Sequence, residues 1–411
     1  MHENPPFGAA ARGRLSAGLR PWLSGNAPLM SLAHLVLESG FNYLPVLYVL
    51  LIPKLGLTYS QIGTMVLLMA VAGTITQPIF GWLSDRGDPR RIVVVSLIWG
   101  GCLMGLVGFM PSYGALVALV LLASLGSAAF HPPAAALSSV TPAGNRGRAM
   151  SLFSVGGNLG AALSPALVGV ALGAFGLAAT LIVIPLTLAT ALLLARRLHA
   201  VHLPERHDRR AVGTQPRAGS MAALLAIVGV VAARSYFQQA LMTYLPEWLR
   251  GHGQSLAMAG AALAIFMIAV SLGSLFGGAL SDRFGRLPVI GVSLALMSVG
   301  LWFMMRLTGG PQMAAVILIG VSIGASFPVT IVLAQEAWPQ SVGFASAMVM
   351  GLGWLPAGLG AWVVGRMADN SSLTVGLGSL LFVPLVGLLA AGIYSVLRYR
   401  MVSRLPVAPP G

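Results

Sequence analysis

Charged residues are scarce in this chain: they make up 8% of its 411 residues, against roughly 25% in soluble domains. Hydrophobic residues make up 57%. Such a chain has too few charges to cover a soluble domain, so the composition predicts an integral membrane protein. The apolar runs are about 20 residues long and do not alternate with polar residues, which predicts membrane-spanning helices rather than a barrel of strands.

Cysteine is almost absent, and the residues of several enzyme classes are missing. Cys102 is the only cysteine, which excludes a disulfide framework and a cysteine metal site. No P-loop motif and no nucleophile–base constellation of a membrane enzyme is found. His199, His202 and His207 lie in an arginine-rich polar segment that would repel a cation. We therefore expect no enzyme activity, no cofactor and no metal.

Acidic residues are also few, with 10 Asp and Glu against 24 Lys and Arg, for a net charge of +14. The basic residues mark membrane topology rather than a nucleic-acid surface. Most fall in the tails and in alternate loops, whereas Lys54, Arg250, Arg306 and Arg366 fall on the opposite side. The positive-inside rule then predicts an even number of spans, with both termini in the cytosol. The first 28 residues lack the apolar core of a signal peptide.

Hydropathy predicts twelve transmembrane helices in two pseudo-symmetric six-helix bundles, an all-α membrane fold. The predicted spans are Met30–Ile52, Gln61–Leu83, Ile92–Met110, Tyr113–Ser138, Ala149–Leu172, Ala174–Ala195, Met221–Leu245, Leu256–Leu280, Pro288–Met305, Gln312–Gln335, Gly343–Met367 and Leu373–Leu397. The predicted divisions are a cytosolic tail (1–29), the first bundle (30–195), a cytosolic linker (196–220), the second bundle (221–397) and a second tail (398–411).

Two apolar segments, one in each half, are repeats of one another with the charge reversed. Glu38-Ser-Gly-Phe-Asn42 is followed by Tyr48, and Arg234-Ser-Tyr-Phe-Gln238 is followed by Tyr244. An ionisable side chain inside a membrane span is costly and marks a functional site by default. The repeat therefore predicts a transporter whose site lies between the two halves near the middle of the bilayer.

The candidate site residues follow from helical spacing. His34, Glu38 and Asn42 are four residues apart and share one helix face. We expect Glu38 and His34 to couple transport to protons, and six side chains to contact the substrate: Arg234, Gln238, Asn42, His131, Tyr48 and Tyr244. Two alternatives remain open: a permanent Glu38–Arg234 ion pair that fastens the halves, and a packed His131 beside the helix break at Pro132-Pro133.

A loop motif also occurs once in each half. Gly81-Trp-Leu-Ser-Asp-Arg86 recurs as Gly278-Ala-Leu-Ser-Asp-Arg283, each followed by further arginines. Both resemble the loop motif of the major facilitator superfamily, which implies gating by charges at helix ends; solvated charges on a tight turn are the alternative. The predicted gating residues are Asp85, Arg86, Arg90, Arg91, Asp282, Arg283, Arg286, Gln335 and Glu336. For Glu336, as for Asp369, a solvated helix end is the alternative.

Small residues recur along the fifth span. Gly156, Gly160 and Ser164 are four residues apart and are followed by Pro165, which predicts a smooth packing face and permits a kink. The pattern resembles the antiporter motif of drug exporters, with Ser164 where glycine is usual. Generic helix packing and an antiporter signature are both open.

A wider resemblance covers nearly the whole chain. The fragments are His34-x3-Glu38, Ala129-Phe-His-Pro132, Val155-Gly-Gly-Asn-x-Gly160, Ala334-Gln-Glu336 with Gly343, and Gly365-x3-Asp369. Together they resemble the fosmidomycin-resistance family of exporters; Pro133, where such proteins often carry glutamate, is a departure. The resemblance implies export of a small, anionic drug or metabolite in exchange for protons. We expect a monomer in the cell (inner) membrane. Import of a small metabolite is the alternative; the expected partners are substrate, protons and lipid bilayer, and no nucleic acid.

Overall fold

The computed structural model describes residues 26–139, 146–198 and 220–402. Most of both predicted tails and of the linker, including its three histidines, lies outside these residues. The first half contains α1 (Ala27–Phe41), α2 (Leu44–Leu55), α3 (Tyr59–Arg86), α4 (Pro89–Gly105), α5 (Tyr113–Ser138), α6 (Arg146–Phe175) and α7 (Val183–Leu198). The second half contains α8 (Met221–Gly251), α9 (Leu256–Phe284), α10 (Arg286–Met304), α11 (Gly309–Ala337), α12 (Val342–Leu352), α13 (Trp354–Asn370), α14 (Leu373–Gly378) and α15 (Val383–Val402).

The twelve predicted spans are present. Ten segments of the described chain are long and apolar enough to cross a membrane, and one of them, Ala149–Leu198, contains the fifth and sixth spans. The eleventh span consists of α12 and α13, which meet at Gly353. The prediction of an all-helical fold with twelve transmembrane helices is confirmed.

The first span breaks between α1 and α2, directly beside Glu38. Asn42 ends α1, and its side-chain amide donates to the Glu38 carbonyl oxygen at 2.9 Å. Pro45, near the start of α2, has no N–H to continue the helical ladder. The Glu38 carbonyl oxygen also accepts the backbone N–H of Asn42, at 3.0 Å, so the end of α1 holds Asn42 next to the Glu38 side chain.

The small residues of α6 pack on α1. A Cβ at Gly156 would overlap the backbone of Ser31, and one at Gly160 would overlap the backbone of Leu35. Further along, the Ser164 hydroxyl donates to the Ser39 carbonyl oxygen. Because these positions carry almost no side chain, α6 approaches α1 closely enough to reach the residues around Glu38.

The two halves are in contact near one face of the membrane. Gly63 of α3 lies against the backbone of Ala361, and Gly169 of α6 lies against Gly260 of α9. Each pair belongs to the helix halves far from the arginine-rich loops. Leu47 of α2 and Leu241 of α8 are fully buried in the same apolar core at this level. This contact region lies at the face that the positive-inside prediction places outside the cell, and it is called the outer closure below.

Toward the face that carries the arginine-rich loops, the halves separate. Nothing lies within 4 Å of a Cβ built on Gly73 of α3. One helical turn further toward that face, Gln77 of α3 also lines the space between the halves. The space between the halves is therefore closed at the outer closure and open toward the arginine-rich face.

Candidate functional site

A cavity of about 530 Å³ lies between the two halves, beneath the outer closure. It is lined by seven of the eight side chains that the sequence predicts for proton coupling and substrate contact: His34, Glu38, Asn42, Tyr48, His131, Arg234 and Gln238. Five of them come from the first half and two from α8. The repeat thus places acid and base on opposite walls of one cavity.

Glu38 is the centre of a polar cluster on the wall formed by the first half. Its Oε1 lies 3.2 Å from Nε2 of His131 and 3.7 Å from Nε2 of His34. Its Oε2 accepts a hydrogen bond of 2.8 Å from the Asn42 amide. His131, on α5, was predicted as a substrate contact; in the structure its imidazole faces Glu38. The four side chains are called the Glu38 cluster below.

The backbone fixes both histidines of the cluster from behind. Nδ1 of His34 lies 2.9 Å from the Phe153 carbonyl oxygen on α6, and Nδ1 of His131 lies 2.7 Å from the Ser127 carbonyl oxygen. The His34 ring also stacks on the Phe153 ring, with centroids 4.2 Å apart. Sequence patterns could not indicate these acceptors, because every residue has a carbonyl group.

Arg234 lies on the opposite wall and is 4% exposed. Its Nε is buried without a hydrogen-bond partner, and no acid of the described residues forms an ion pair with it. The guanidinium lies over the ring of Phe327, with its carbon 4.8 Å from the ring centroid. Burying a cation without an ion-pair partner is costly, and this one lies in the cavity wall.

One alternative and one expectation from the sequence repeat differ from the structure. No Glu38–Arg234 ion pair joins the halves among the described residues. The oxygens of the Glu38 carboxylate contact the two histidines and Asn42 instead. Tyr244, predicted as a substrate contact, is 1% exposed and does not line the cavity. Its hydroxyl lies 2.8 Å from the Tyr59 carbonyl oxygen in the outer closure. Equivalent positions of a repeat need not have equivalent surroundings.

The gating residues of the first loop contact their own half. The Asp85 side chain lies outside what the structure describes, and the Arg86 guanidinium lies over the Trp82 ring at 3.7 Å. Arg90 pairs with Asp88, at 3.0 Å, and Arg91 lies 3.8 Å from the same carboxylate. The hydrogen bond from Arg90 lowers the pKa of Asp88. Sequence analysis missed Asp88, although an acid before Pro89 is a common helix N-cap signal.

The gating residues of the second half also stay within it. Arg286, at the start of α10, forms an ion pair with Glu336, near the end of α11. Gln335 donates to the Ser346 hydroxyl of α12 at 2.9 Å. Arg283 lies over the Phe284 ring, and Asp282 is exposed. These contacts do not bridge the halves, as expected where the arginine-rich face is open.

The outer closure contains a contact of Asp369, for which the sequence analysis left gating and a solvated helix end open. The Asp369 carboxylate, near the end of α13, accepts hydrogen bonds of 2.8 Å from the backbone N–H groups of Tyr59 and Ser60, and another from the Ser60 hydroxyl. Residues 59 and 60 begin α3, so an acid of the second half caps a helix of the first. A carboxylate is favoured at a helix N-terminus by the helix dipole.

Comparison with known sequences identifies relatives over nearly the full length. The family model described as Major Facilitator Superfamily matches residues 30–246 and 224–409. The fosmidomycin resistance protein of Escherichia coli (strain K12) is 27% identical over 405 residues, which cover 95% of this chain and 97% of the relative. The uncharacterized MFS-type transporter YfnC of Bacillus subtilis (strain 168) is 29% identical over 375 residues, covering 88% and 91%.

Comparison with solved structures supports the same fold. A bacterial homologue of the human lysosomal transporter Spinster, in an inward-facing and occupied conformation, superposes with a TM-score of 0.75 at 16% identity, covering 93% of this chain and 98% of that one. A point mutant of the nucleoside transporter NupG superposes with a TM-score of 0.67 at 15% identity, covering 93% and 99%. At these identities the likeness concerns the fold alone.

Proposed function

Because the chain belongs to the major facilitator superfamily, and is thus a multi-pass membrane transporter of small molecules rather than an enzyme, we propose that it is a proton-coupled antiporter that exports a small anionic compound by alternating access. The observation that carries this proposal is the pair of opposite cavity walls. One wall holds a carboxylate among histidines, and the other holds an unpaired guanidinium. The first suits protons and the second suits an anion.

The buried position of Arg234 supports an anionic substrate. A cation with no protein partner is stabilised when an anion enters and pairs with it, and the planar guanidinium can bind two oxygens of a carboxylate or phosphonate at once. Gln238 lies one helical turn further along α8 and lines the same cavity. It supplies a neutral donor beside the charge. The Phe327 ring under the guanidinium limits its movement.

Glu38 is the proposed proton carrier, with His34 beside it. It lines the cavity, so a proton bound at its site can be loaded from whichever side the cavity faces. The E. coli relative is named for resistance to fosmidomycin, and resistance by a transporter follows when the compound is removed from the cell. The proposed direction is therefore export, with protons moving inward.

The decisive experiment uses the purified protein in liposomes that carry a pH gradient, with fosmidomycin as the first anionic compound of a panel. We expect the gradient to drive uphill movement of at least one compound, and Glu38→Gln to abolish this while exchange without a gradient continues. Glu247→Gln changes another partly buried acid, one that does not line the cavity, and is the matched control. Undiminished gradient-driven transport by Glu38→Gln would show that Glu38 is not the carrier. Movement together with protons would show import.

A further inference from the structure

The hydrogen bonds of the Glu38 cluster determine how many protons it holds. A backbone carbonyl can only accept a hydrogen bond, so the contact of 2.7 Å between the Ser127 oxygen and Nδ1 of His131 places a hydrogen on Nδ1. In a neutral imidazole the other nitrogen, Nε2, is then a bare acceptor. Nε2 is the atom that lies 3.2 Å from Oε1 of Glu38. A carboxylate is also only an acceptor.

Two acceptors do not remain at hydrogen-bond distance without a proton between them. We therefore infer that His131 is a positively charged proton holder in this open state, with the coupling proton on Nε2 and shared with Oε1 of Glu38. This inference rests on the proposed function and refines the role of Glu38, which stays ionised and holds the coupling proton through His131. It moves His131 from substrate contact to proton coupling.

The neighbours of the pair favour the proton on the imidazole rather than on the carboxyl group. Oε2 of Glu38 accepts the Asn42 amide hydrogen at 2.8 Å, and such a donor stabilises the ionised carboxylate. Nε2 of His34 is 3.7 Å from Oε1, beyond hydrogen-bond range, so the geometry calls for a proton only between His131 and Glu38. The carboxylate and the imidazolium of this pair sum to zero charge.

Few other charges act on the cluster. Tyr48 and Arg234 are the remaining titratable side chains that line the cavity among the described residues. From α6, the Phe153 ring and Gly157 face His34. Arg234 on the opposite wall disfavours further positive charge, which limits the loaded cluster to one proton.

Release of the proton changes the geometry of the cluster. The proton leaves Nε2 for solvent in the cavity, and His131 becomes neutral with its hydrogen on Nδ1. The lone pairs of Nε2 and Oε1 then face each other and repel. Unloading therefore separates the His131 and Glu38 side chains, whereas loading holds them together. Asn42 and the Ser127 carbonyl position the pair but do not carry the proton.

Nitrogen NMR of the whole protein in lipid nanodiscs, with ¹⁵N-labelled histidine, tests the inference directly. The chain has 7 histidines, and the His131 signals are assigned by their loss in His131→Gln. At about pH 8, where an ordinary histidine is neutral, we expect two protonated nitrogens on His131. In Glu38→Gln we expect one, Nδ1. A neutral His131 in the parent protein would overturn the inference.

His252 is the matched control, because its Nδ1 also contacts the carbonyl oxygen four residues earlier, at 2.7 Å from Trp248, and no carboxylate pairs with it among the described residues. We expect one protonated nitrogen on His252 in both proteins. Two protonated nitrogens on His252 under these conditions would show that the carbonyl contact alone charges a histidine and would overturn the role given to Glu38. Zinc held by the parent protein and absent from Glu38→Gln would mean that a metal ion, not a proton, joins the cluster, and would also overturn it.

Transport measurements separate this inference from the proposed function. With fosmidomycin, His131→Gln should lower gradient-driven transport at least about a hundredfold, the lower end of what proton-transfer groups contribute, and flatten its pH profile. His252→Gln should leave both near the parent values. An unchanged pH profile in His131→Gln would overturn the inference. Absence of any transport would instead count against the proposed substrate, while the NMR result would still decide the protonation of His131.

Discussion

Gly157 of α6 lies directly against the imidazole ring of His34 on α1, so that a Cβ at this glycine would overlap the ring. The residue before it, Gly156, has the same relationship to the backbone of Ser31. The small-residue face of the fifth span therefore does more than bring two helices together. It also leaves room for the imidazole ring of His34, a member of the Glu38 cluster.

Gly157→Ala should displace His34 from the Phe153 carbonyl oxygen. Inserting a methyl group into a filled site costs about 1 to 3 kcal/mol, and the flexible His34 side chain will move before the backbone does. We expect altered pH dependence of gradient-driven transport with the fold retained. Gly173→Ala, on the same helix with nothing within 4 Å of its Cβ, is the control and should behave as the parent. Parent-like pH dependence in Gly157→Ala would show that the small-residue face packs helices but does not influence proton coupling.

Arg234→Lys should weaken the binding of an anionic substrate by about tenfold, or about 1.4 kcal/mol, because an ammonium cannot reproduce the two-point contact of a guanidinium. Arg234→Ala should weaken it further. Calorimetric titration of the purified protein gives the affinity. Arg306→Lys is the control, since Arg306 also lies over an aromatic ring, that of Trp302 at 4.3 Å, but does not line the cavity. Equal binding by all variants would remove Arg234 from the site.

Asp369→Asn should weaken the outer closure and shift the protein toward the state that is open to the outside. The amide keeps the shape but loses the charge-assisted bonds to residues 59 and 60, which are worth about 1 to 3 kcal/mol in total. Spin-label distances between α3 and α13 at this face would report the shift, in a background where Cys102, the single cysteine, is replaced. A distance distribution equal to that of the parent would show that the contact does not hold the closure.

Asp85→Asn should shift the protein the other way, toward the state found here. If the two loop motifs latch the arginine-rich face shut in the outward-open state, removing one charge destabilises only that state. A loss of about 1 to 3 kcal/mol changes the ratio of states several-fold or more. Labels at the arginine-rich ends of α3 and α12 give the ratio. If transport is lost while the distribution of distances between the labels is unchanged, the loop acts in folding and not as a latch.

Asp88 should make a small, pH-dependent contribution to stability. Its pKa is lowered in the folded protein by the hydrogen bond from Arg90, so the contribution is present above the pKa of the unfolded chain. It is lost as the pH falls through the lower folded pKa. Because the pair is partly exposed, we expect at most about 1 kcal/mol. Asp88→Asn should lower the melting temperature slightly at neutral pH and not at strongly acidic pH. Asp282→Asn, at an exposed position of the equivalent loop, should leave the melting temperature unchanged at both pH values.

The sequence predicted what depends on local pattern and missed what depends on contacts between helices. Hydropathy located every span, because the bilayer requires long apolar helices whatever their packing. Helical spacing placed His34 and Asn42 beside Glu38. It could not show that His131, on another helix, is nearer to Glu38 than Arg234 is, and the repeat favoured the wrong partner. Contacts to backbone groups, such as those of Asp369, leave no mark in side-chain patterns.

The cap that Asp369 places on α3 also bears on how readily the outer closure opens. Thr58 and Gln61 already form a capping box at the start of α3, so the first turn of this helix stays capped when the Asp369 side chain moves away. The two N–H groups that it releases face the aqueous side and are rehydrated at once, and water returns most of the lost bond energy. The closure is therefore a hydrated contact. It can separate without unwinding a helix or leaving a polar group without a hydrogen-bond partner, and it can re-form in every transport cycle.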